Sequence, residues 1–598
     1  MHPMAAARVD TVRVRAWTWA LPRISTRGVV YVLLALLIAN LVLAPLVMVV
    51  LSAINVGPTA HAAGASLEFF VQAWTSPTTW AVMSNTAIFA IGSTSLAVSI
   101  GVFFAFMVER TDMPLKSFAY AIVPLTIAMP GLLYSIAWVL LLSPRIGLFN
   151  LALLGLFGRD NGILTSSAGI GFSGVPIQAY SMGGMIFVDA IRGVGVVFLM
   201  TVGLFRNMDP ALEEAAMVSG APPGRVARLI TLKLMLPGIL AAFIYSLAGS
   251  LETFEVPAIM GLPGKINLLS TKIYLLNQAD DAATASSIGI VFVLLAIVFV
   301  TLYTRLTRRM ERFSTVGGKA YRPRVMRIGS FRYVAMALVW LYLAVVVIAP
   351  FLVMVWASIQ PYYAVPSAAA LGRTTLEAYT WVFTNPQGAT ALINTLLLLL
   401  SAPTATMLLC TLVAWYVVRS RMPGRRVLDV MAFLPNTIPS IMIALALVYL
   451  FLTMPWRAIP IYGTVWIIGI AVVTRYLAFG SRGMHSAVLQ LHRELEEAAE
   501  VGGVSWLTAI RFIVLPLLFP AIVAGWVFVA LHALRETTMA LMLYSPSSRV
   551  ISLLMWDTWQ SGDTSKAAAT GVLLMLVTSV IILLGRFVDQ RRARKYSA

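Results

Sequence analysis

The chain has 598 residues, 60% of them hydrophobic and only 11% charged, with a mean hydropathy of +0.88. A soluble domain carries about 25% charged residues, so these charges are too few to cover a water-soluble body of this length, and the bilayer is its solvent. The formal net charge of +19 does not mark a nucleic-acid partner, because the basic residues cluster at the ends of apolar runs, as in the cytoplasmic loops of membrane proteins. Cys410, the one cysteine, excludes an intrachain disulfide.

The chain opens on Arg8, Arg13, Arg15, Arg23 and Arg27, followed by an apolar run from Val29 to Leu51. That run is too long for a signal-peptide core and predicts a retained first span. Stretches of about 20 apolar residues then recur, giving twelve predicted spans. The first six lie at 29–52, 82–108, 117–142, 183–205, 230–250 and 284–305. The second six lie at 333–357, 390–418, 427–452, 463–483, 509–532 and 567–588. Residues 53–83 hold no Lys or Arg, whereas the basic segments 305–332 and 586–595 hold many. With both termini inside, about 33 of the 43 Lys and Arg residues fall on the cytoplasmic side.

The sequence repeats. Glu213-Glu214-Ala215-Ala216 returns 283 positions later as Glu496-Glu497-Ala498-Ala499, with Gly220 matched by Gly503, Ile230 by Ile513 and Pro237 by Pro520. Earlier in each half, Asn85-Thr86 returns as Asn394-Thr395 and Arg110 as Arg419, now 309 positions on. The first half therefore carries about 26 extra residues, in the Gly-rich outer stretch around 143–182. An even number of spans per half makes the repeats parallel. The expected fold is an all-α polytopic membrane protein, with two six-helix repeats related by a pseudo-two-fold axis along the membrane normal. Its parts are a cytoplasmic segment 1–28, a first half 29–305, a basic linker 306–332, a second half 333–588 and a tail 589–598.

Between the fourth and fifth spans of each half lies a short polar segment, about 209–224 and 492–507. In the first, Asp209 suits an N-cap and Pro210 the first helical position, the glutamates favour the positive helix end, and Gly220 can end the helix. Small Ala side chains let another protein come close. One such helix would read as a plain connector; two matching copies predict a docking element.

These residues resemble the signature of the permeases of binding-protein-dependent ABC importers, which is Glu-Ala-Ala, three residues, Gly, nine residues, Ile, one residue, Leu-Pro. The second half carries it whole, as Glu497-Ala498-Ala499, Gly503, Ile513, Leu515 and Pro516. The first half has Glu214-Ala215-Ala216, Gly220, Ile230 and Leu232, but Lys233 replaces the proline, which predicts a local change where the fifth span begins. The resemblance implies that both segments are coupling helices seated in ATPase subunits. Glu252–Pro263 and Arg535–Leu543 resemble the ferric-iron-type branch, which also includes permeases for thiamine, phosphonates and phosphorylated sugars. It further implies a bacterial inner-membrane location, two copies of a cytoplasmic ABC ATPase that use ATP and Mg, and a periplasmic substrate-binding protein. The cargo expected is ferric iron or an iron chelate, with a small anionic solute or thiamine as the alternative.

Arg192 and Arg475 occupy matching places within the fourth and tenth spans, where a charge is costly. Either they face the pathway and meet an anionic cargo or a carboxylate such as Glu252 or Glu536, or they brace neighbouring helices. Asp189, three residues before Arg192, is a possible partner along the helix. Glu252 and Glu536 are expected close to the outer mouth, as gates, as binding-protein contacts or as plain interfacial charges. Gly264-Lys265 and Gly318-Lys319 lack the context of a phosphate loop. The five histidines are scattered, which predicts no metal site, no cofactor and no catalysis by this chain. An ion-driven secondary transporter is the rival reading, and the twin motifs argue against it.

Overall fold

A computed structural model describes residues 26–56, 64–143, 146–157, 177–209, 211–311 and 325–596. The arginines before Arg27, Pro210, most of the inserted outer stretch and the linker residues 312–324 lie outside these residues. Among the described residues ten helices are long and apolar enough to cross a membrane, or twelve spans when each of two strongly bent helix pairs counts as one. Among the described residues no β-strand forms; one isolated bridge joins Thr111 to Met326.

The bent pairs are the third and ninth spans, which the apolar pattern rendered as continuous. Each breaks near its middle, Lys116–Ile127 against Gly131–Leu141 by 97° and Arg425–Thr437 against Ser440–Leu452 by 111°. The cause is shared. Pro130 and Pro439 lack an N–H and clash with the preceding turn, so each stands just before the second piece. Those second pieces are apolar all round, and every residue of Gly131–Leu141 is buried. They form the centre of the largest core cluster, together with the fourth span Met182–Arg206 and the tenth span Val465–Gln490.

The first span of each half crosses to the other half. Thr26–Ala53 packs on the pieces of the broken ninth span, Arg425–Phe433 and Ser440–Leu452. Its lower end is tied there, since the Tyr31 hydroxyl donates to Pro423 O at 2.8 Å and the Tyr416 hydroxyl donates to Arg27 O at 2.8 Å. Reciprocally, the seventh span, which runs from Phe331 to Ser358 through a π turn at Leu343–Ile348, packs on Gly131–Leu141. The Tyr134 hydroxyl donates to Val346 O at 3.2 Å, and that of Tyr342 to Ile191 O at 3.3 Å.

The start of the fifth span differs from expectation. Lys233 was to alter it locally, yet both halves enter it through a π turn at matching positions, Ala227–Thr231 and Ile510–Val514, followed by helices Leu232–Glu252 and Leu515–Arg535. Lys233 is exposed, and both helices keep the deeper shared proline, Pro237 or Pro520, so nothing at this position depends on Pro516.

Candidate functional site

The alanine-rich segments form the short helices Ala211–Val218 and Glu494–Val501. Asp209 Oδ1 accepts the N–H of Ala211 at 2.9 Å, which relieves one of the unpaired donors at the helix start. Gly220 and Gly503 hold φ at +85° and +73°, in the region that favours glycine. The N–H of Ala221 reaches Ala216 O at 3.0 Å and that of Val504 reaches Ala499 O at 3.0 Å, closing both helices with a Schellman turn.

What fixes these helices is the glutamate before the signature glutamate. Glu213 is 1% exposed and pairs with Arg110, itself 0% exposed, at the end of the second span, and it also accepts from the Thr231 hydroxyl. One carboxylate therefore ties the helix to two spans. In the second half, Glu496 Oε1 lies 3.1 Å from Arg419 Nε, and Glu496 Oε2 accepts the indole N–H of Trp415 at 3.1 Å. Arg419 also donates to Val488 O and Leu491 O at 3.1 and 2.5 Å. Glu497 makes only an exposed pair with Arg493, at 2.8 Å, while Glu214 and Ala216 are half-buried, Ala215 and Ala498 exposed and Ala499 buried. The repeat of Arg110 as Arg419 was the sequence signal for these anchors.

With the glutamate face held inward, each helix turns apolar side chains outward. Leu212 and Val218 in one, and Leu495 and Val501 at matching positions in the other, are exposed, the two valines at 85% and 91%. The exposed apolar positions thus match between the two halves.

The intramembrane charges gather where the broken spans meet the fourth, fifth, tenth and eleventh. Arg475 Nη2 lies 2.7 Å from Glu252 Oε2, an ion pair between the two halves with about a fifth of each side chain exposed. Arg475 Nη1 donates to Ile438 O at 2.8 Å and to Pro435 O at 3.4 Å, carbonyls freed by the break in the ninth span. Arg192 Nη1 stands 3.9 Å from Glu255 Oε2, and a Cβ added at Gly131 would overlap that same nitrogen. Asp189 does not pair with Arg192. It accepts from the hydroxyls of Ser250 at 2.8 Å and Thr253 at 3.4 Å, because its side chain faces the fifth span.

Glu252 meets the middle of the tenth span, so its carboxylate belongs to the interior of the bundle and not to the outer mouth. Nor are Glu252 and Glu536 symmetry mates. The 283-residue repeat sets Glu252 against Arg535, whose Nη1 donates to Ile127 O across the halves and whose Nε donates to Leu531 O at 3.0 Å. Glu536 accepts the Tyr476 hydroxyl at 3.3 Å and the N–H of Met539 at 3.2 Å. Arg192, Arg475 and Arg535 thus sit among Glu252, Glu255, Glu536 and Asp189, and the cluster holds no surplus of positive charge. Glu255 and Arg535 were missed as members of this cluster, although both lie in the stretches singled out after the fifth spans.

Comparison with known proteins bears on both sites. The ferric transport system permease protein FbpB of Actinobacillus pleuropneumoniae is 26% identical over 413 residues, 68% of this chain and 58% of that protein. The alignment thus spans well under two thirds of that relative. The Fe(3+)-transport system permease protein FbpB 2 of Haemophilus influenzae is 23% identical over 546 residues, 91% of this chain and 95% of that protein. The sulfate transport system permease protein CysT of Escherichia coli is 31% identical over 232 residues, 36% of this chain and 84% of that protein. A family model described as "Binding-protein-dependent transport system inner membrane component" matches twice, at residues 97–312 and 407–594, once in each half and over more than half of the chain. With two repeats of membrane-crossing helices and a matched alanine-rich helix in each, this chain belongs to the family of binding-protein-dependent transport system inner membrane components.

Proposed function

We propose that this chain is the complete transmembrane pathway of an ATP-driven importer, with both permease halves in one polypeptide. The observation that carries the reading is the pair of outward-facing apolar patches, Leu212 with Val218 and Leu495 with Val501, held by buried or half-buried ion pairs. Two cytoplasmic ATPase subunits dock there, one per half, and supply ATP and Mg; this chain binds no cofactor. A periplasmic binding protein delivers cargo at the opposite face, and both termini lie in the cytoplasm of an inner-membrane protein. Closure of the ATPases moves the two helices, and Arg110 and Arg419 pass that motion to the ends of the second and eighth spans, which rocks the halves between inward and outward openings. Reconstitution with its ATPase tests the docking. Val218→Asp together with Val501→Asp should abolish co-purification of the ATPase without changing the chain's melting temperature; full retention of the ATPase would defeat the assignment.

The cargo is ferric iron or a ferric chelate, a substrate and not a resident metal. The names of two relatives support it, as does the charge balance of the interior cluster, where every arginine has a carboxylate or a carbonyl near it. A second reading, an anionic cargo, draws on the sulfate permease relative and on the three interior arginines. Proteoliposomes loaded with ATP and given the binding protein separate the two: uptake of radioactive ferric citrate without uptake of sulfate supports iron, and the reverse supports the anion.

A further inference from the structure

The face that carries the docking helices holds a pocket of about 370 Å³ in the second half. Its walls are the last turn of the eighth span, the start of the exchanged first span and the helix Glu494–Val501. Trp415 and Tyr416 form an aromatic floor, edge to face at 5.1 Å, and Trp415 packs on Trp506 at 5.2 Å. The lining carries four arginines against two glutamates. Arg419 and Arg493 are engaged with Glu496 and Glu497, whereas Arg421 is exposed and makes no ion pair with any described residue.

The matching place in the first half is covered by the end of the linker. There the 309-residue repeat substitutes Phe106, Met107 and Asp112 for Trp415, Tyr416 and Arg421. The end of the linker then zips over it: Met326 N donates to Arg110 O at 2.9 Å, Asp112 N to Met326 O at 3.1 Å, and Ile328 N to Asp112 Oδ1 at 3.0 Å. Arg332 completes the closure with Asp112 at 3.3 Å. Where one half has an acid at this position, the other has a base.

We propose that this second-half pocket binds a phosphate-bearing anion, and that the headgroup of an anionic phospholipid is its source. The pocket lies where a membrane-crossing helix ends, and basic pockets between spans on the cytoplasmic side suit such headgroups. Arg offers paired donors to phosphate oxygens, and a Trp floor suits the interface. Because Glu496 and Glu497 line it, a bound headgroup would steady the second docking helix but not the first. The inference rests on the proposed reading for the cytoplasmic assignment of this face alone.

Native mass spectrometry of the full chain, without ATPase or cargo, tests it independently of transport. The chain should retain phosphatidylglycerol in preference to phosphatidylcholine. Arg421→Asp, which installs the first-half residue, should cut that retention about tenfold, and Arg421→Lys should keep most of it. Equal retention of the two lipids, or unchanged retention by Arg421→Asp, overturns the site. Displacement of the lipid by millimolar inorganic phosphate, with saturable phosphate uptake in its place, overturns the lipid as source in favour of the free ion.

Discussion

Replacing Glu213 by Gln is the sharpest probe of how the alanine-rich helices are held. Gln keeps the shape but removes the charge, leaving the Arg110 guanidinium, 0% exposed, with no counter-ion in its site. Breaking a buried pair in this way costs about 3–5 kcal/mol, because the remaining charge stays desolvated. The matching pair in the second half is 11% and 17% exposed, and Arg419 keeps two carbonyl acceptors, so Glu496→Gln should cost only about 1–2 kcal/mol. Hydrogen exchange of purified chain resolves the difference. Opening of Ala211–Val218 should become at least about a hundredfold easier in the first variant, and that of Glu494–Val501 no more than about thirtyfold easier in the second. The double variant Arg110→Met with Glu213→Leu should recover most of the loss, since no charge remains to be buried. Wild-type exchange in Glu213→Gln, or equal losses in the two halves, would refute the claim that the first helix is welded in place and the second only pinned.

Three further outcomes follow from the interior and the linker. Arg475→Gln should lower uptake at least about tenfold while ATP hydrolysis continues, because it removes the ion pair between halves and uncaps Ile438 O; uptake equal to wild type would make the bridge a bystander. Gly131→Ala should displace Arg192 and destabilise the chain by about 1–3 kcal/mol, whereas Ser440→Gly, at the matching break, should be close to neutral in thermal melting. The N–H of Ile328, with Arg332 beside it, holds the Asp112 carboxyl below the usual carboxylate range. A lowered native pKa stabilises docking of the linker end above about pH 4 and loses that contribution as pH falls through the native value. Protease cutting near Ile328 should therefore rise as pH falls through the native value, below about pH 4, and Asp112→Asn should show the same rise at pH 7.

The sequence made the number of spans, the duplication and the two alanine-rich helices legible, since each rests on a local pattern: apolar length, a repeated string, a cap residue and a glycine in the left-handed region. It did not disclose the breaks at Pro130 and Pro439. Hydropathy counts apolar residues and is blind to direction, and membrane helices often carry proline unbroken. Of two adjacent glutamates, the pattern singled out Glu214 and Glu497, whereas burial chose Glu213 and Glu496. Neighbours on a helix point about 100° apart, so only packing decides which turns inward. The pairing of Arg475 with Glu252 lies beyond any local signal, since it joins residues 223 positions apart. The mismatch of Glu252 with Arg535 was within reach of the 283-residue repeat.

The exchange of first spans has a consequence for biogenesis. Tyr31 is bonded to a residue 392 positions further along, and Arg27 to one 389 positions further. At about 5–20 residues added per second, roughly 20–80 s separate the insertion of the first span from the synthesis of the surface it rests on. Through that interval the newborn helix has only lipid, the translocation machinery or its own sixth span for company. The two halves therefore cannot mature one after the other as finished units. Each stays incomplete until the other has been threaded, and a nick in the linker of the finished molecule would leave two pieces still clasped.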